Sequence, residues 1–439
     1  MTPPVPPPAA APRSHDGWSL AVDLTAAWNE GEGRADHLLE DRGPALEGAA
    51  RGNAQSLFFG AIRHWRRIDE ALRPLLARPP RARLAALLAV AAGEMIENPT
   101  VAPALVVDHA VGQAKRLLSP AEARLVNAVL RRVAPVLRDA VAPGAATPFA
   151  EQAAFFSHPD WLVEKWIGQF GREATRQLLE WNQTPASVHV RWRSAETLPP
   201  AGLEPTRWPG FFRLRHGGWA ELAPAITAGH CYLQDPATRL APELVAPVAG
   251  EVLLDLCAAP GGKSFQLADS MGTGKIVAVD RPGGRLRRFE QNLTRWRASG
   301  GRVEIAMLAS DVGNLTPALF AKKNLPPLFD AVLLDAPCSN TGVLRHRVDA
   351  KWRLEPAEFA WLGEVQGKLV TKAAEFVKPG GRLVYSTCSL EPEENEQVIE
   401  DFLATPAGGV FTLERSVLAR PWEHGHDGAG VFLLRRKTD

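Results

Sequence analysis

Two thiols and three carboxylates occur where apolar segments of the chain end. The segment "FDAVLLDAP" carries Asp335 near its end with Cys338 just beyond it, and "GRLVYSTC" ends in Cys388. Asp280 ends "KIVAVD", and Asp311 follows "RVEIAML". A thiolate can attack a substrate covalently, and a carboxylate can bind a pair of ribose hydroxyls. Any one of these residues could be a cap or a buried polar group, but five of them in equivalent positions indicate a site.

The apolar segments predict the strands that would position these side chains. From about Leu240, five such segments alternate with helical patterns, and turn residues bound each of them. Near-continuous apolar strands that alternate with helices predict a parallel sheet covered on both faces. In such sheets ligands bind beyond the carboxyl ends of the strands. The thiols and carboxylates are therefore predicted to meet at one edge of an α/β domain.

A glycine-rich turn follows the first predicted strand, in "DLCAAPGGKS". Gly261 and Gly262 allow a tight turn and a close approach of a ligand to the backbone. The segment matches neither the dinucleotide pattern GxGxxG nor the phosphate loop, and a glycine pair alone is as typical of a plain turn. An acidic residue about twenty positions further on, here Asp280, commonly hydrogen-bonds a ribose. Together the two features favour a ligand that contains a ribose.

The patterns before Leu240 predict separate domains. Six prolines among the first twelve residues predict a disordered tail over residues 1–15. Apolar residues then recur every three or four positions, which predicts an all-helical domain over 16–145. Residues 146–238 are predicted to form a linker and a small bridging domain of helix and strand. The α/β domain follows over 239–439.

The helical domain carries an excess of positive charge. Although the whole chain has a net charge of +1, residues 51–138 contain 14 Arg or Lys against 6 Asp or Glu, a local net of +8. This excess suits a polyanionic partner and equally suits a solvated helical surface. The candidates for a phosphate clamp are Arg63, Arg66, Arg67, Arg124, Arg131 and Arg132.

Four cysteines, at positions 231, 257, 338 and 388, are too few and too scattered for a disulfide scaffold or a cysteine-rich zinc site. We therefore predict reduced thiols and no metal. The first residues lack the apolar core of a secretory signal, and no later stretch is a long apolar span. These observations predict a cytoplasmic protein without a membrane partner, and we expect a monomer.

Three segments resemble the signature segments of the Sun/RsmB family of RNA (cytosine-C5) methyltransferases. They are "LDLCAAPGGKS", "LLDAPCSNTGV" with "DAKW", and "LVYSTCSLEPEENEQV". In the helical part, "LFFGAIRHWRRID" and "ARLVNAVLRRV" resemble the NusB-type RNA-binding domain. The resemblance covers nearly everything after the proline-rich tail. It implies a Rossmann-like methyltransferase domain, preceded by an all-α NusB-like domain and a small α+β bridging domain.

The resemblance also implies a covalent mechanism. Carbon 5 of cytosine becomes nucleophilic only after a thiolate has added to carbon 6, and it then attacks the methyl group of S-adenosylmethionine. By resemblance Cys388 is the nucleophile, Cys338 assists release of the methylated base, and Asp335 hydrogen-bonds the base. A free thiol is mostly protonated at neutral pH. We expect the sulfonium of the cofactor and Lys263 to favour ionisation, and Glu393 and Glu394 to satisfy the start of a helix near Pro392.

The resemblance implies a cofactor site for S-adenosylmethionine at the same edge. Asp280 would bind the ribose and Asp311 the adenine amine, while Arg285 and Asp335 would lie near the pocket. The backbone of the glycine-rich loop would hold the methionine part, with the residues Cys257, Ala258, Ala259, Pro260, Gly261, Gly262 and Lys263.

The substrate implied by the resemblance is an unpaired cytosine in a loop of ribosomal RNA, in the 16S molecule, because a recessed pocket requires an extruded base. The same chemistry on transfer RNA or another ribosomal site is an alternative, as is a non-catalytic RNA-binding assembly factor. A small-molecule methyltransferase seldom needs two thiols and a separate basic domain.

Two segments depart from the family pattern. Asn340 stands where the family usually has glycine, and because asparagine tolerates left-handed backbone angles we expect the turn to persist. Ala429 and Gly430 replace an aromatic pair, which predicts looser packing near the substrate groove.

Overall fold

A computed structural model describes residues 16–43, 46, 48–194 and 197–438. The tail predicted over residues 1–15 lies outside the described residues. The described residues form two compact units, one of those up to Pro185 with Arg347–Trp352, the other of those in 186–346 and from Arg353 onward. Within the described residues, no helix has the length and apolar character needed to cross a membrane.

The elements are numbered here in chain order. The helices are α1 (Gly17–Asn29), α2 (Ala35–Arg42), α3 (Gly48–Arg63), α4 (Trp65–Leu72), α5 (Ala82–Glu97), α6 (Pro103–Leu117), α7 (Pro120–Arg138), α8 (Phe149–Phe155), α9 (Asp160–Phe170), α10 (Arg172–Gln183), α11 (Trp219–Thr227), α12 (Leu240–Val245), α13 (Gly262–Met271), α14 (Gly284–Ala298), α15 (Pro317–Lys322), α16 (Ala350–Arg353), α17 (Pro356–Ala374), α18 (Glu396–Ala404) and α19 (Pro421–His424). The strands are β1 (His189–Trp192), β2 (Leu203–Pro205), β3 (Phe211–Leu214), β4 (Cys231–Leu233), β5 (Val252–Leu256), β6 (Lys275–Asp280), β7 (Glu304–Ala309), β8 (Phe329–Asp335), β9 (Val377–Thr387), β10 (Phe411–Ala419) and β11 (Ala429–Arg436). Short 3₁₀ helices cover Arg73–Leu75, Pro236–Arg239, Val312–Asn314, Thr341–Val343 and Pro392–Glu394.

The first unit is a bundle of helices, as the sequence predicts. Local signals fix its helix starts: Ser119 and Glu122 form a reciprocal capping box at α7, with Pro120 in the first helical position. Helix α5 is apolar around most of its circumference, and it is buried against α1, α3 and α7. A helix of this character belongs at the centre of a bundle rather than on its surface.

A segment from the C-terminal half of the chain, Arg347–Trp352, belongs to the first unit. Lys351 is 2% exposed, and its ammonium donates to the Arg63 carbonyl at 3.0 Å. The indole nitrogen of Trp352 donates to the Ile62 carbonyl at 3.2 Å. Val348 and Trp352 pack against the apolar core of the helices. The "DAKW" signature is therefore built into the helical unit, which its position after β8 does not suggest.

The second unit contains a seven-stranded sheet in the order β10-β11-β9-β8-β5-β6-β7. The five predicted strands, β5 to β9, are present and run parallel. This Rossmann-like arrangement confirms the predicted fold class. The sheet is mixed rather than all parallel, because β11 and β10 add to β9 in the antiparallel sense. Strand β10 lies at the edge with mostly exposed side chains, so its sequence lacks the apolar run that marks the inner strands.

A small antiparallel sheet precedes the large one, in the order β2-β3-β1-β4. Arg191 and Arg193 of this segment both bind Asp269 of α13, each with an N–O distance of 2.8 Å. Trp296 also donates to Asp269, at 2.8 Å. Helices α8 to α10 belong to the first unit and the small sheet to the second, and the predicted boundaries at 145 and 238 stay predictions.

Candidate active site

The register of the parallel strands brings the predicted site residues to one edge of the sheet. Asp335, the last residue of β8, lies opposite Ser386 of β9, and Cys388 follows two residues later. The next peptide is fixed as well, because the Ala336 amide donates to the Ser386 carbonyl at 2.8 Å. On the other side of β5, Asp280 is the last residue of β6. The structure therefore places Asp280, Asp335 and Cys388 at carboxyl ends of strands of one sheet.

The two predicted catalytic sulfurs are in contact. Cys338 Sγ lies 3.2 Å from Cys388 Sγ, and both residues are half-buried. The hydrogen bond to Cys388, together with burial, raises the pKa of the Cys338 thiol well above its usual range. Cys338 is therefore a thiol in the resting enzyme, and the sulfur of Cys388 has polar neighbours rather than an apolar enclosure.

An ion pair stands beside the sulfurs. Lys263 Nζ lies 2.7 Å from Asp335 Oδ2. Burial disfavours the ammonium, but the charge of Asp335 outweighs it and raises the pKa of Lys263, with a further contribution from the nearby Cys388. Lys263 is therefore a fixed positive charge near Cys388, as the hypothesis of its role in ionisation requires, although its direct partner is Asp335.

Sequence reasoning missed the role of Glu394, whose side chain is buried between the two cysteine-bearing loops. Its carboxylate accepts the Ser339 amide at 2.9 Å, the Ser389 hydroxyl at 2.6 Å and the Gln366 side chain at 3.0 Å. We predicted that Glu394 would satisfy a helix start near Pro392. The carboxylate is instead used on Ser339 and Ser389, each of which directly follows a cysteine. The sequence gives no sign of this role, because the burial of Glu394 in a 3₁₀ turn is visible only in the folded structure.

The turn after Cys338 is compact. Asn340 has φ = 66°, in the left-handed region, which confirms that asparagine supports the turn there. Gly342 donates to the Cys388 carbonyl at 3.0 Å, and a Cβ at this glycine would lie 2.7 Å from the same oxygen. The two loops therefore approach each other as closely as the absence of a side chain at Gly342 allows.

The prediction of loose packing at Ala429 and Gly430 is wrong. Both residues are buried in β11. A Cβ on Gly430 would overlap the side-chain oxygen of Asn395, which accepts from the Thr387 hydroxyl at 2.7 Å. The Asn395 side chain thus occupies the space above Gly430, beside the strand that leads to Cys388.

The glycine-rich loop is fixed from three sides. Asp280 accepts the Ala259 amide at 2.8 Å, and the Arg285 guanidinium donates to the Ala259 carbonyl. Gly261 has φ = 107° and directly precedes α13, so the loop runs into a helix N-terminus. Cys257 also has a positive φ, of 61°, and burial raises the pKa of its thiol to about 12. Cys257 is thus a structural thiol.

Asp311 is placed less centrally than the other carboxylates. It accepts the Gly313 amide at 2.8 Å and pairs with Arg281, with an N–O distance of 2.6 Å. Its partner Arg281 is largely exposed, so this pair can rearrange at little cost. The described contacts are compatible with a binding role for Asp311 and equally with a cap of the short helix after β7.

A second carboxylate that sequence reasoning missed is Asp255, at the end of β5. It is fully buried, and burial raises the pKa of its carboxyl from 3.8 to about 7, with an added contribution from Asp335. The Ser264 hydroxyl donates to one oxygen, and the other has no hydrogen-bond partner among the described residues. Asp255 therefore joins the end of the glycine-rich segment to the strand beneath it. With a pKa of about 7, its carboxyl changes between the neutral and the charged form near neutral pH.

The arginines predicted as a phosphate clamp are in three different situations. Arg63 is 4% exposed and forms an ion pair with Glu97 inside the helical unit, so its guanidinium does not face solvent. Arg66 pairs with Glu70 and Asp160, and Arg67 stacks over the ring of Phe155. The exposed members are Arg124, Arg131 and Arg132, all on α7.

One group of described residues has donor atoms close enough together for a metal ion. The group consists of Asp235, His346 and Asp427, with donor atoms within 4.8 Å of one another. Its members are already paired, since the Asp427 amide donates to Asp235 and His346 lies 3.4 Å from Asp427. The prediction that the protein holds no metal stays a prediction.

Comparison with known proteins identifies the family of this chain. Residues 242–413 match the family described as 16S rRNA methyltransferase RsmB/F, and residues 19–135 match the NusB family. The ribosomal RNA small subunit methyltransferase B of Klebsiella pneumoniae strain 342 is 30% identical over 363 residues, which cover 80% of each chain. This chain belongs to the RsmB/F methyltransferase family. The resemblance to the Sun/RsmB family and to NusB is thereby confirmed.

Other relatives extend the match over most of this RsmB/F-family methyltransferase. The Vibrio cholerae protein of the same name is 29% identical over 422 residues, covering 91% of this chain and 94% of the relative. The crystal structure of PH0851 superposes with a TM-score of 0.74 over 96% of this chain and 99% of that chain, at 23% identity. The latter similarity concerns the fold alone.

The buried Asp255 predicts a specific pH dependence of stability. A carboxyl whose pKa is raised on folding stabilises the protein below its unfolded pKa of 3.8 and loses this contribution as pH rises through about 7. Asp255→Asn mimics the protonated acid, so its free energy of unfolding should exceed that of the wild type by roughly 2–4 kcal/mol at pH 8 and by little at pH 4. Thermal unfolding across this range measures the difference. The exposed Asp401→Asn is the control, and equal pH profiles for D255N and wild type would contradict the interpretation.

Glu394 predicts a large cost for a single truncation. Glu394→Ala leaves the Ser339 amide, Ser389 and Gln366 without their acceptor, and should lower the free energy of unfolding by about 2–4 kcal/mol. Glu394→Gln keeps one acceptor oxygen and should lose about half as much. Denaturant titration measures both, with the exposed Glu400→Ala on α18 as control. If E394A is as stable as E400A, the carboxylate does not hold the loops together.

Proposed function

We propose that this protein transfers a methyl group from S-adenosylmethionine to carbon 5 of a cytosine in 16S ribosomal RNA, through a covalent bond between Cys388 and carbon 6. One observation carries the proposal: two sulfur atoms 3.2 Å apart lie next to a lysine–carboxylate pair at the carboxyl edge of a parallel sheet. Family membership supports the methyl transfer, and the names of the relatives support small-subunit RNA as the target.

The chain has residues that fit S-adenosylmethionine. The glycine-rich loop leads into the N-terminus of α13, and Asp280 holds that loop by the Ala259 amide while retaining lone pairs on both oxygens. These features suit a ligand with a carboxylate, a ribose and a positive charge. The loop from Cys257 to Lys263 would hold the methionine part, Asp280 the ribose and Asp311 the adenine. When bound, the cofactor supplies an electrophilic methyl group.

The roles of the two cysteines differ in the proposed reaction. The Cys388 sulfur forms a bond to carbon 6 of the cytosine, which makes carbon 5 electron-rich. After methylation, a base removes the carbon 5 proton, and the electrons of that C–H bond form the carbon 5–carbon 6 double bond again. The Cys388–carbon 6 bond then breaks, and its electron pair returns to the sulfur. Cys338 lies 3.2 Å from the sulfur that holds the base, close enough to assist this release.

Asp335 and Lys263 act on the base and on the thiol. In the proposed complex, Asp335 accepts a hydrogen bond from the exocyclic amine side of the cytosine and holds the ring against Cys388. Lys263, 2.7 Å from Asp335, holds this carboxylate in place and places a positive charge near the sulfur. A positive neighbour stabilises a thiolate relative to a thiol.

The NusB match supports an RNA substrate over a small molecule. The matched region, residues 19–135, includes the exposed arginines of α7, which can bind phosphates of the substrate RNA. A target in transfer RNA would use the same catalytic residues, so chemistry at the site does not separate the two substrates. Bisulfite sequencing of 16S ribosomal RNA from cells with and without the protein does, since one cytosine should lose its methyl mark.

Covalent trapping tests the catalytic roles. Wild-type protein should form a denaturant-resistant complex with substrate RNA that contains 5-azacytidine, and Cys388→Ala should form none. Cys338→Ala should accumulate a complex even with ordinary cytosine, because addition is intact and release is slow. Cys231→Ala, which replaces a thiol buried in β4, is the matched control and should behave as wild type. A C388A protein that still forms the adduct would exclude Cys388 as the nucleophile, and a non-catalytic binding protein would trap no RNA at all.

A further inference from the structure

The side chain of Asn340 connects the two cysteines, although the family usually has glycine at this position. Cys388 Sγ donates to Asn340 Oδ1 at 3.4 Å, and Asn340 Nδ2 donates to the Cys338 carbonyl at 2.9 Å. The left-handed backbone at this residue, φ = 66°, directs the amide back toward its own loop. A glycine would leave both partners without this amide.

The Cys338 carbonyl fixes which end of the amide meets the sulfur. A carbonyl oxygen can only accept, so the amide nitrogen must face it and the amide oxygen must face Cys388. Cys388 therefore donates its S–H to Asn340, and its sulfur is left to accept the S–H of Cys338, 3.2 Å away. The three residues form a closed ring of hydrogen bonds in which both sulfurs are protonated.

This ring favours one protonation state of Cys388. An acceptor opposite a sulfur stabilises the thiol, since the thiolate has no proton to donate and repels the amide oxygen. Two other groups favour the Cys388 thiolate: the Cys338 S–H, which donates to the sulfur, and the positive charge of Lys263. Asp427 also lies near Cys388, and burial raises the pKa of its carboxyl well above the usual range, so in its neutral form it adds no opposing charge. Asp335 and Glu394 lie one contact further away, on Lys263 and Ser339.

We propose that Asn340 is a positioning residue that holds Cys388 as a thiol in a fixed orientation in the free enzyme. The inference rests on the proposed nucleophile, and it adds Asn340 to the residues that control it. When the substrate cytosine enters the site and displaces the Asn340 side-chain oxygen, the Cys388 sulfur would be free to ionise next to Lys263. Asn340 would thus restrict reactivity of the thiol to the complex with substrate.

The test measures the reactivity of Cys388 directly, without methyl transfer. Full-length wild type, Asn340→Gly and Asn340→Asp are alkylated with iodoacetamide between pH 6 and 10, and modification of the Cys388 peptide is followed by mass spectrometry. Only the thiolate reacts at an appreciable rate, so the midpoint of the rate profile reports ionisation. Glycine at 340 should lower this midpoint by about 0.5–1 pH unit, the effect of losing one hydrogen bond. Aspartate, a charged acceptor, should raise it.

Asn324→Gly is the matched control. Asn324 also has a left-handed backbone, with φ = 56°, and is exposed on the loop after α15. N324G should give the wild-type profile, and thermal unfolding should confirm that N340G and N340D remain folded. The acid limb of the methyl-transfer rate should move with the alkylation midpoint in each variant.

The outcomes separate the inference from the proposed function. A midpoint in N340G equal to or above that of wild type would overturn the role of Asn340 and leave Cys388 as the proposed nucleophile. A shift in both variants to the same side would also overturn it, because a purely structural role predicts no opposite signs. If wild type methylates no RNA, the proposed function fails, while the alkylation profiles still decide the role of Asn340.

Discussion

The arrangement of the two cysteines depends on the buried carboxylate of Glu394. Its oxygens accept from Ser339 and Ser389, the residues directly after Cys338 and Cys388, so one side chain fixes two loops that are 50 residues apart in sequence. A buried carboxylate is costly unless its lone pairs are filled, and here three donors fill them. Because the same group satisfies both loops, neither sulfur can move far without breaking a hydrogen bond to a charge. The 3.2 Å contact between the sulfurs follows from this constraint.

The two aspartates at the sheet edge differ in their electrostatic environment, because one is buried more deeply than the other. Asp255 lies beneath the glycine-rich loop, where burial raises the pKa of its carboxyl, while Asp335 nearer the surface is paired with Lys263. Lys263 therefore serves Asp335 and Cys388 at once. Because burial makes the deeper Asp255 carboxyl harder to ionise than an exposed one, Lys263 is left to pair with Asp335 and to act on the Cys388 sulfur.

At two departures from the family pattern, a side chain fills the space that the substitution leaves. Asn340 fills the space beside the sulfurs and bonds to both cysteine residues. Gly430 leaves space that the side chain of Asn395 takes up, beside the strand that ends at Cys388. In each case an amide side chain contacts the segment that carries Cys388, the proposed nucleophile. These segments are therefore closely packed without the residues that the family usually has there.

The sequence by itself determined the strands, the helical unit and the list of reactive residues. Apolar strand segments and the three-to-four-residue repeat of helices are local patterns in the sequence. Asp335, Cys338 and Cys388 lie at or just after the ends of two of the strand segments. Only the tertiary structure decided three features: the antiparallel strands β10 and β11, the burial of Lys351 in the helical unit, and the role of Glu394. Each depends on a partner distant in the chain, and a sequence read locally does not say which buried donors a carboxylate will meet. The reactive groups could be named from their types and spacing, but the hydrogen bonds that hold them in place arise only when the loops are folded together.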